Sequence, residues 1–137
     1  MFANPTPDQI RSLLQEVRTI AVVGLSPRPE RPSNRVARAL QRFGYRIVPV
    51  RPAVAEILGE KAWPSLSEVP VAVDLVDVFR AGDRIDPIVD ECIALGLKRL
   101  WLQDGVINEA AARRARDAGI TVVMDRCVWR DYMELLA

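Results

Sequence analysis

Among its 137 residues the chain has no histidine. That absence excludes a Ser-His-Asp or Cys-His triad, a histidine metal site and a phosphohistidine intermediate. Cysteine is scarce: Cys92 and Cys127 form neither a CxxC pair nor a disulfide framework. Lysine occurs only at Lys61 and Lys98, and arginine supplies the rest of the 19 basic residues. A formal net charge of +1 is too small for broad capture of nucleic acid or of a membrane surface. No apolar run approaches membrane-spanning length, and "MFANPTPDQI" lacks the charged start and apolar stretch of a secretion signal. A cytoplasmic protein is expected, with no metal, nucleic-acid or membrane partner.

What is present is a single domain, 1–137, half hydrophobic by composition. An N-terminal helix over 7–18 is signalled by Thr6 as N-cap, Pro7 in the first turn and Gln9 completing a capping box. The core, 19–125, alternates apolar strands with amphipathic helices. The strands are 19–24, 46–50, 73–79, 99–103 and 121–125. The helices are 33–44, with Ser33 as N-cap, then 86–96 and 108–119, each ending at a glycine. A closing helix covers 127–136. Segment 51–70 has weak periodicity and is expected to hold only a helical turn at 67–69. Pro49 suits a strand end or an edge strand more than a sheet centre. Alternation of this kind predicts a doubly wound, parallel five-stranded sheet with helices on both faces, a three-layer α/β domain. Ligands of such sheets sit beyond the carboxyl ends of the strands, at the switch in strand order.

At the first of those ends stands "GLSPRPERPSNR", 24–35. A dinucleotide turn carries three glycines so that backbone can approach a pyrophosphate. This one keeps only Gly24, with Ser26 and Pro29 at the other two positions. It is also long, and it is filled by three prolines (Pro27, Pro29, Pro32) and three arginines (Arg28, Arg31, Arg35). A close NAD-type turn does not fit. After the second strand, where an NAD site places an acid for the ribose, the chain has Arg51. Arginine there suits a ribose carrying an extra phosphate, as in NADP or coenzyme A. Ser26, Ser33, Asn34, the first amides of the 33–44 helix and the arginines, Arg28 among them, would meet the phosphates. The prolines would reduce the entropy lost on ordering the loop. The competing reading is a rigid surface loop with solvated arginines.

Four segments, "VGLSPRPERPSNRV", "YRIVPVRP", "VDLVDVFR" and "LWLQDGVINEAAARRARDAGITVVMDRC", together resemble the stand-alone CoA-binding proteins. Those are small Rossmann-like proteins related to the CoA-binding domain of the succinyl-CoA synthetase α subunit. The resemblance covers roughly residues 15 to 127. It implies binding of coenzyme A or an acyl-CoA, with Gly24, Leu25, Ser26 and Ser33 as the pyrophosphate loop. Pro49, Val50, Arg51 and Pro52 would border the adenosine and its 3′-phosphate. Phe79 and Arg80 would flank the adenine or the phosphate path, and Gln103, Asp104 and Gly105 would face the ligand. Many members have leucine or proline where this chain has Asp104, which puts a carboxylate beside an anionic ligand. The ligase works through a histidine in a separate domain, so the resemblance implies no ligase chemistry and no catalytic residue.

Other features read as structural. Asp77 is expected to bond loop backbone rather than to catalyse, and Asp125 to pair with Arg126. Cys127 is read as a small, partly buried residue rather than a reactive thiol. Trp129 and Tyr132 are candidates for covering a homodimer surface. Two alternatives to CoA binding stand: an NADP-dependent reductase, and an oligomeric interaction module with a vestigial nucleotide site.

Overall fold

A computed structural model describes all of residues 1–137. Helix α1, Pro7–Glu16, opens on the expected capping box: Gln9 N–H donates to Thr6 Oγ1 (3.2 Å) and Thr6 N–H donates to Gln9 Oε1 (2.8 Å). It stops two residues before the expected 18, because Asp74 takes the N–H groups of Arg18 and Thr19 and turns the chain into strand β1, Thr19–Val23. The chain continues through α2, Pro32–Arg42, and β2, Arg46–Val50. A small hairpin, β3 (Glu56–Ile57) and β4 (Glu60–Lys61), comes next. Then follow β5, Leu75–Val78; α3, Ile85–Leu95; β6, Arg99–Leu102; α4, Glu109–Asp117; β7, Thr121–Met124; and α5, Val128–Leu135.

The five long strands form one parallel sheet in the order β2-β1-β5-β6-β7. Alternate residues feed two cores. Ala21, Val23, Val76, Val78, Leu100 and Leu102 pack under α3 and α4. Ile20, Val22, Leu75, Trp101 and Val123 pack under α1, α2 and α5. This is the three-layer, doubly wound Rossmann-like arrangement expected. No helix is long and apolar enough to cross a membrane.

The order reverses between β1 and β5: the chain first steps outward from β1 to β2, then returns to the other side of β1. The carboxyl ends of these two strands are therefore the switch point where such sheets take their ligands. β2 is an edge strand, as Pro49 required. Its outer side is covered by Trp63, whose N–H donates to the Pro49 carbonyl (3.0 Å) while its own carbonyl accepts from Arg51 N–H (2.8 Å).

The hairpin corrects the expectation that 51–70 holds only a helical turn. Its two-residue loop, Leu58 and Gly59, has positive φ at both positions (55° and 77°), which suits the twist of tight hairpins. Strands of two residues are too short to show alternation. The expected turn is present one residue earlier, as a 3-10 turn at Leu66–Glu68.

Candidate functional site

The site begins with Gly24, φ +84°, where β1 ends. Its N–H donates to the Val50 carbonyl (3.0 Å), and a Cβ on it would lie 2.4 Å from the Phe79 carbonyl oxygen. One glycine is kept here because two backbones meet at the switch point and no side chain fits between them.

Beyond it the loop is bonded to itself. Ser26 N–H donates to Ser33 Oγ (2.9 Å), Arg28 N–H to Ser26 Oγ (3.1 Å), Asn34 Nδ2 to the Ser26 carbonyl (2.8 Å), and Arg38 Nη2 to the Pro29 carbonyl (2.9 Å). Ser33 is therefore not the N-cap of α2. The cap is Arg31, Pro32 begins the helix, and the Ser33 hydroxyl serves the loop instead. Pro32 has no N–H to give, and Asn34 N–H is engaged with the Arg31 carbonyl (3.1 Å). The helix thus offers an anion fewer free amides than the sequence suggested, and more of the positive charge comes from side chains.

Around the turn lies a cleft of about 750 Å³, lined by Gly24, Ser26, Pro27, Arg28, Arg31, Pro32, Ser33, Arg51, Phe79, Arg80, Ala81, Asp104 and Val106. Its size suits a cofactor-sized ligand. None of its four arginines takes part in any of the chain's seven ion pairs. Arg51 is steadied by donating from Nη1 to the Leu25 carbonyl (3.3 Å). The one acid in the lining, Asp104, is held by Arg130 of α5 through two bonds, 2.9 and 3.0 Å. Those bonds hold its carboxyl below the ordinary range. A larger hollow of about 870 Å³ lies at the opposite end of the sheet, but both of its arginines, Arg99 and Arg116, are in ion pairs.

The cleft brings together Gly24, Ser26, Arg28, Ser33, Arg51, Phe79, Arg80 and Asp104 from the residues singled out by sequence. Others lie beneath it or beside it. Leu25 is fully buried, and Asn34, Pro49 and Val50 are buried as well. Pro52 is exposed outside the lining. Gln103 does not face the cleft: it is buried and donates from Nε2 to Asp77 Oδ1 (2.7 Å). Gly105 is exposed, its N–H held by Asp125 Oδ1 (2.7 Å). Arg31, Pro27 and Pro32 belong to the lining and were visible in the loop's composition. Ala81 and Val106 are small apolar residues after β5 and β6, with nothing in sequence to mark them.

Two neighbouring expectations are corrected. Asp77 bonds the Gln103 side chain rather than loop backbone. It is fully buried, its Oδ2 has no partner, and burial pushes its pKa up to about 7 against the Gln103 bond. The backbone-bonding acid is Asp74. Asp125 does not pair with Arg126; Arg126 forks onto the buried Asp131 of α5 with two bonds of 2.7 Å. Tyr132 stacks on Phe43 (centroids 3.9 Å apart), and Arg42 lies over Trp129.

Residues 18–133 match the family model described as a CoA binding domain. The uncharacterised protein YneT of Bacillus subtilis is 41% identical over 125 residues, covering 91% of this chain and 93% of YneT. A solved hypothetical protein from Pyrococcus horikoshii superposes with a TM-score of 0.94 at 34% identity, covering 100% of this chain and 99% of that one. An ADP-forming acetate–CoA ligase of Archaeoglobus fulgidus is 25% identical over 121 residues, which span 81% of this chain but only 18% of the ligase.

Proposed function

The chain belongs to the CoA-binding domain family, and we propose that it binds coenzyme A, or an acyl-CoA, in the cleft at the β1–β5 switch point. The observation that carries this reading is the set of four arginines, Arg28, Arg31, Arg51 and Arg80, gathered from three loops with no acid paired to any of them. Guanidinium groups with no internal carboxylate partner suit a ligand with several phosphates, because each can present a fork to phosphoryl oxygens. In this reading Arg28, Arg31 and the Ser33 amide receive the pyrophosphate at the start of α2. Arg51, at the end of the edge strand, receives the 3′-phosphate, and Phe79 lies against the adenine.

The protein acts as a binder that does not transform its ligand. Two serines line the cleft, and both hydroxyls are occupied as acceptors within the loop. The lining holds no cysteine, lysine or tyrosine, its one carboxylate, Asp104, is forked by Arg130, and the chain has no histidine to serve as a base.

Calorimetric titration with CoA, dephospho-CoA, NADP and NAD in parallel tests the proposal. CoA is expected to bind tightest and dephospho-CoA more weakly. Preference for NADP would replace the reading with a reductase, and binding of none would leave an interaction module.

A further inference from the structure

We infer that Arg130, outside the cleft lining, is a positioning residue for the site: it clamps Asp104 so that this carboxylate neither occupies the cleft arginines nor repels incoming phosphates. The inference rests on the CoA-binding reading above.

Asp104 is the one acid among the residues lining the cleft, and Arg28, Arg31, Arg51 and Arg80 line the same space. Left free, such a carboxylate shares the cleft with those guanidiniums and competes with any phosphate for them. Both of its oxygens are instead taken by Arg130, Nη2 to Oδ1 at 2.9 Å and Nη1 to Oδ2 at 3.0 Å, the planar fork that arginine alone provides. Arg130 comes from α5, so the neutralising charge is brought from behind the wall rather than drawn from the cleft's own set.

Both partners are held in place. The 103–105 turn is fixed on one side by Gln103 donating to Asp77 and on the other by Gly105 N–H donating to Asp125. The first turn of α5 is fixed by the forked Arg126–Asp131 pair, with Asp131 fully buried. The backbones that carry Arg130 and Asp104 are thereby set within reach of each other. Yet their side chains are 51% and 54% exposed, so the pair adds little to folding stability. Its consequence lies in the charge that the cleft presents.

The test is calorimetry of the full chain with CoA at low ionic strength, on wild type, Arg130→Ala, Asp104→Asn and the double variant, each checked for unchanged thermal unfolding. Arg130→Ala is expected to weaken CoA roughly tenfold, the effect of one unmasked like charge within about 8–10 Å at intermediate dielectric. The double variant is expected to restore at least wild-type affinity, a rescue that a structural role for Arg130 would not give. Asp104→Asn alone keeps the fork donor, frees its charge, and is expected to tighten binding several-fold; if Arg130→Ala does not fold, Arg130→Gln, which loses the charge and keeps the bulk, takes its place in the cycle. Unchanged affinity in Arg130→Ala, a double variant as weak as that single one, or weaker binding in Asp104→Asn each overturns the inference while leaving CoA binding intact. A wild-type chain that does not bind CoA removes the functional reading, and the inference with it.

Discussion

Replacing Asp77 by asparagine should make the protein more stable at pH 8 and leave it nearly unchanged at pH 4. The carboxyl is fully buried on β5, accepts one bond from Gln103, and has a second oxygen with no partner. Burial raises its pKa from 3.8 to about 7. The folded chain therefore holds this proton over a range in which the unfolded chain has released it. Below about pH 4 both states are protonated and the group costs nothing. Stability is then lost as pH rises through the interval between the two values, and the full penalty is reached above about 7. The interval from 3.8 to about 7 corresponds to roughly 4 kcal/mol, at about 1.4 kcal/mol for each tenfold change in proton affinity. Asparagine mimics the neutral acid in shape, and its carboxamide can still pair with Gln103, which can present either end of its own amide. Urea unfolding followed by tryptophan fluorescence, at steps from pH 4.5 to 8.5, gives the difference between variant and wild type. That difference should grow by a few kcal/mol across the range. A difference that stays flat with pH would mean that Asp77 ionises normally, and the burial argument would be wrong.

Three further outcomes are expected. Gly24→Ala should unfold at markedly lower temperature and lose CoA binding, since it must pay about 1–2 kcal/mol for a left-handed alanine and its new Cβ would stand only 2.4 Å from the Phe79 carbonyl oxygen; a melting temperature within a degree or two of wild type would contradict the close contact. Arg51→Ala should weaken CoA by about tenfold or more, the scale of a charged hydrogen bond, and dephospho-CoA less; equal losses in calorimetry would remove Arg51 from the 3′-phosphate. Arg126→Met should cost about 3 kcal/mol by leaving the buried Asp131 without its partner, and adding Asp131→Leu should recover much of it; chemical unfolding of both variants would show whether the second change compensates.

The sheet was legible because its strands are short apolar runs between capped helices, a pattern that survives without any knowledge of contacts. Thr6, Asn108 and the glycines after the helices marked the boundaries to within two or three residues. Charge at the first turn was legible too, since Arg28, Arg31 and Arg51 flank strand ends that topology places together. What could not be read was how the polar groups pair. Ser33 had the residue type and position of an N-cap, but Ser26 claimed its hydroxyl from across the loop. Gln103 followed a strand end as a ligand contact would, yet the buried carboxyl of Asp77 on the neighbouring strand β5 drew it inward. Arg126 had Asp125 beside it in sequence and chose Asp131, one helical turn further on, where burial made a partner obligatory. These pairings depend on which groups are denied water, and that is fixed only by packing.

The seam between Gly24 and the Phe79 carbonyl has a bearing on how such a pocket can diverge. The closest approach there is between main-chain atoms, which offer selection no side chain to alter. Changes in what is accepted must be written into the walls, which separate loops supply and which can be exchanged without disturbing the sheet. A lineage could thus trade one acyl carrier or nucleotide for another by rewriting a few rim positions, while the seat beneath them stays the same.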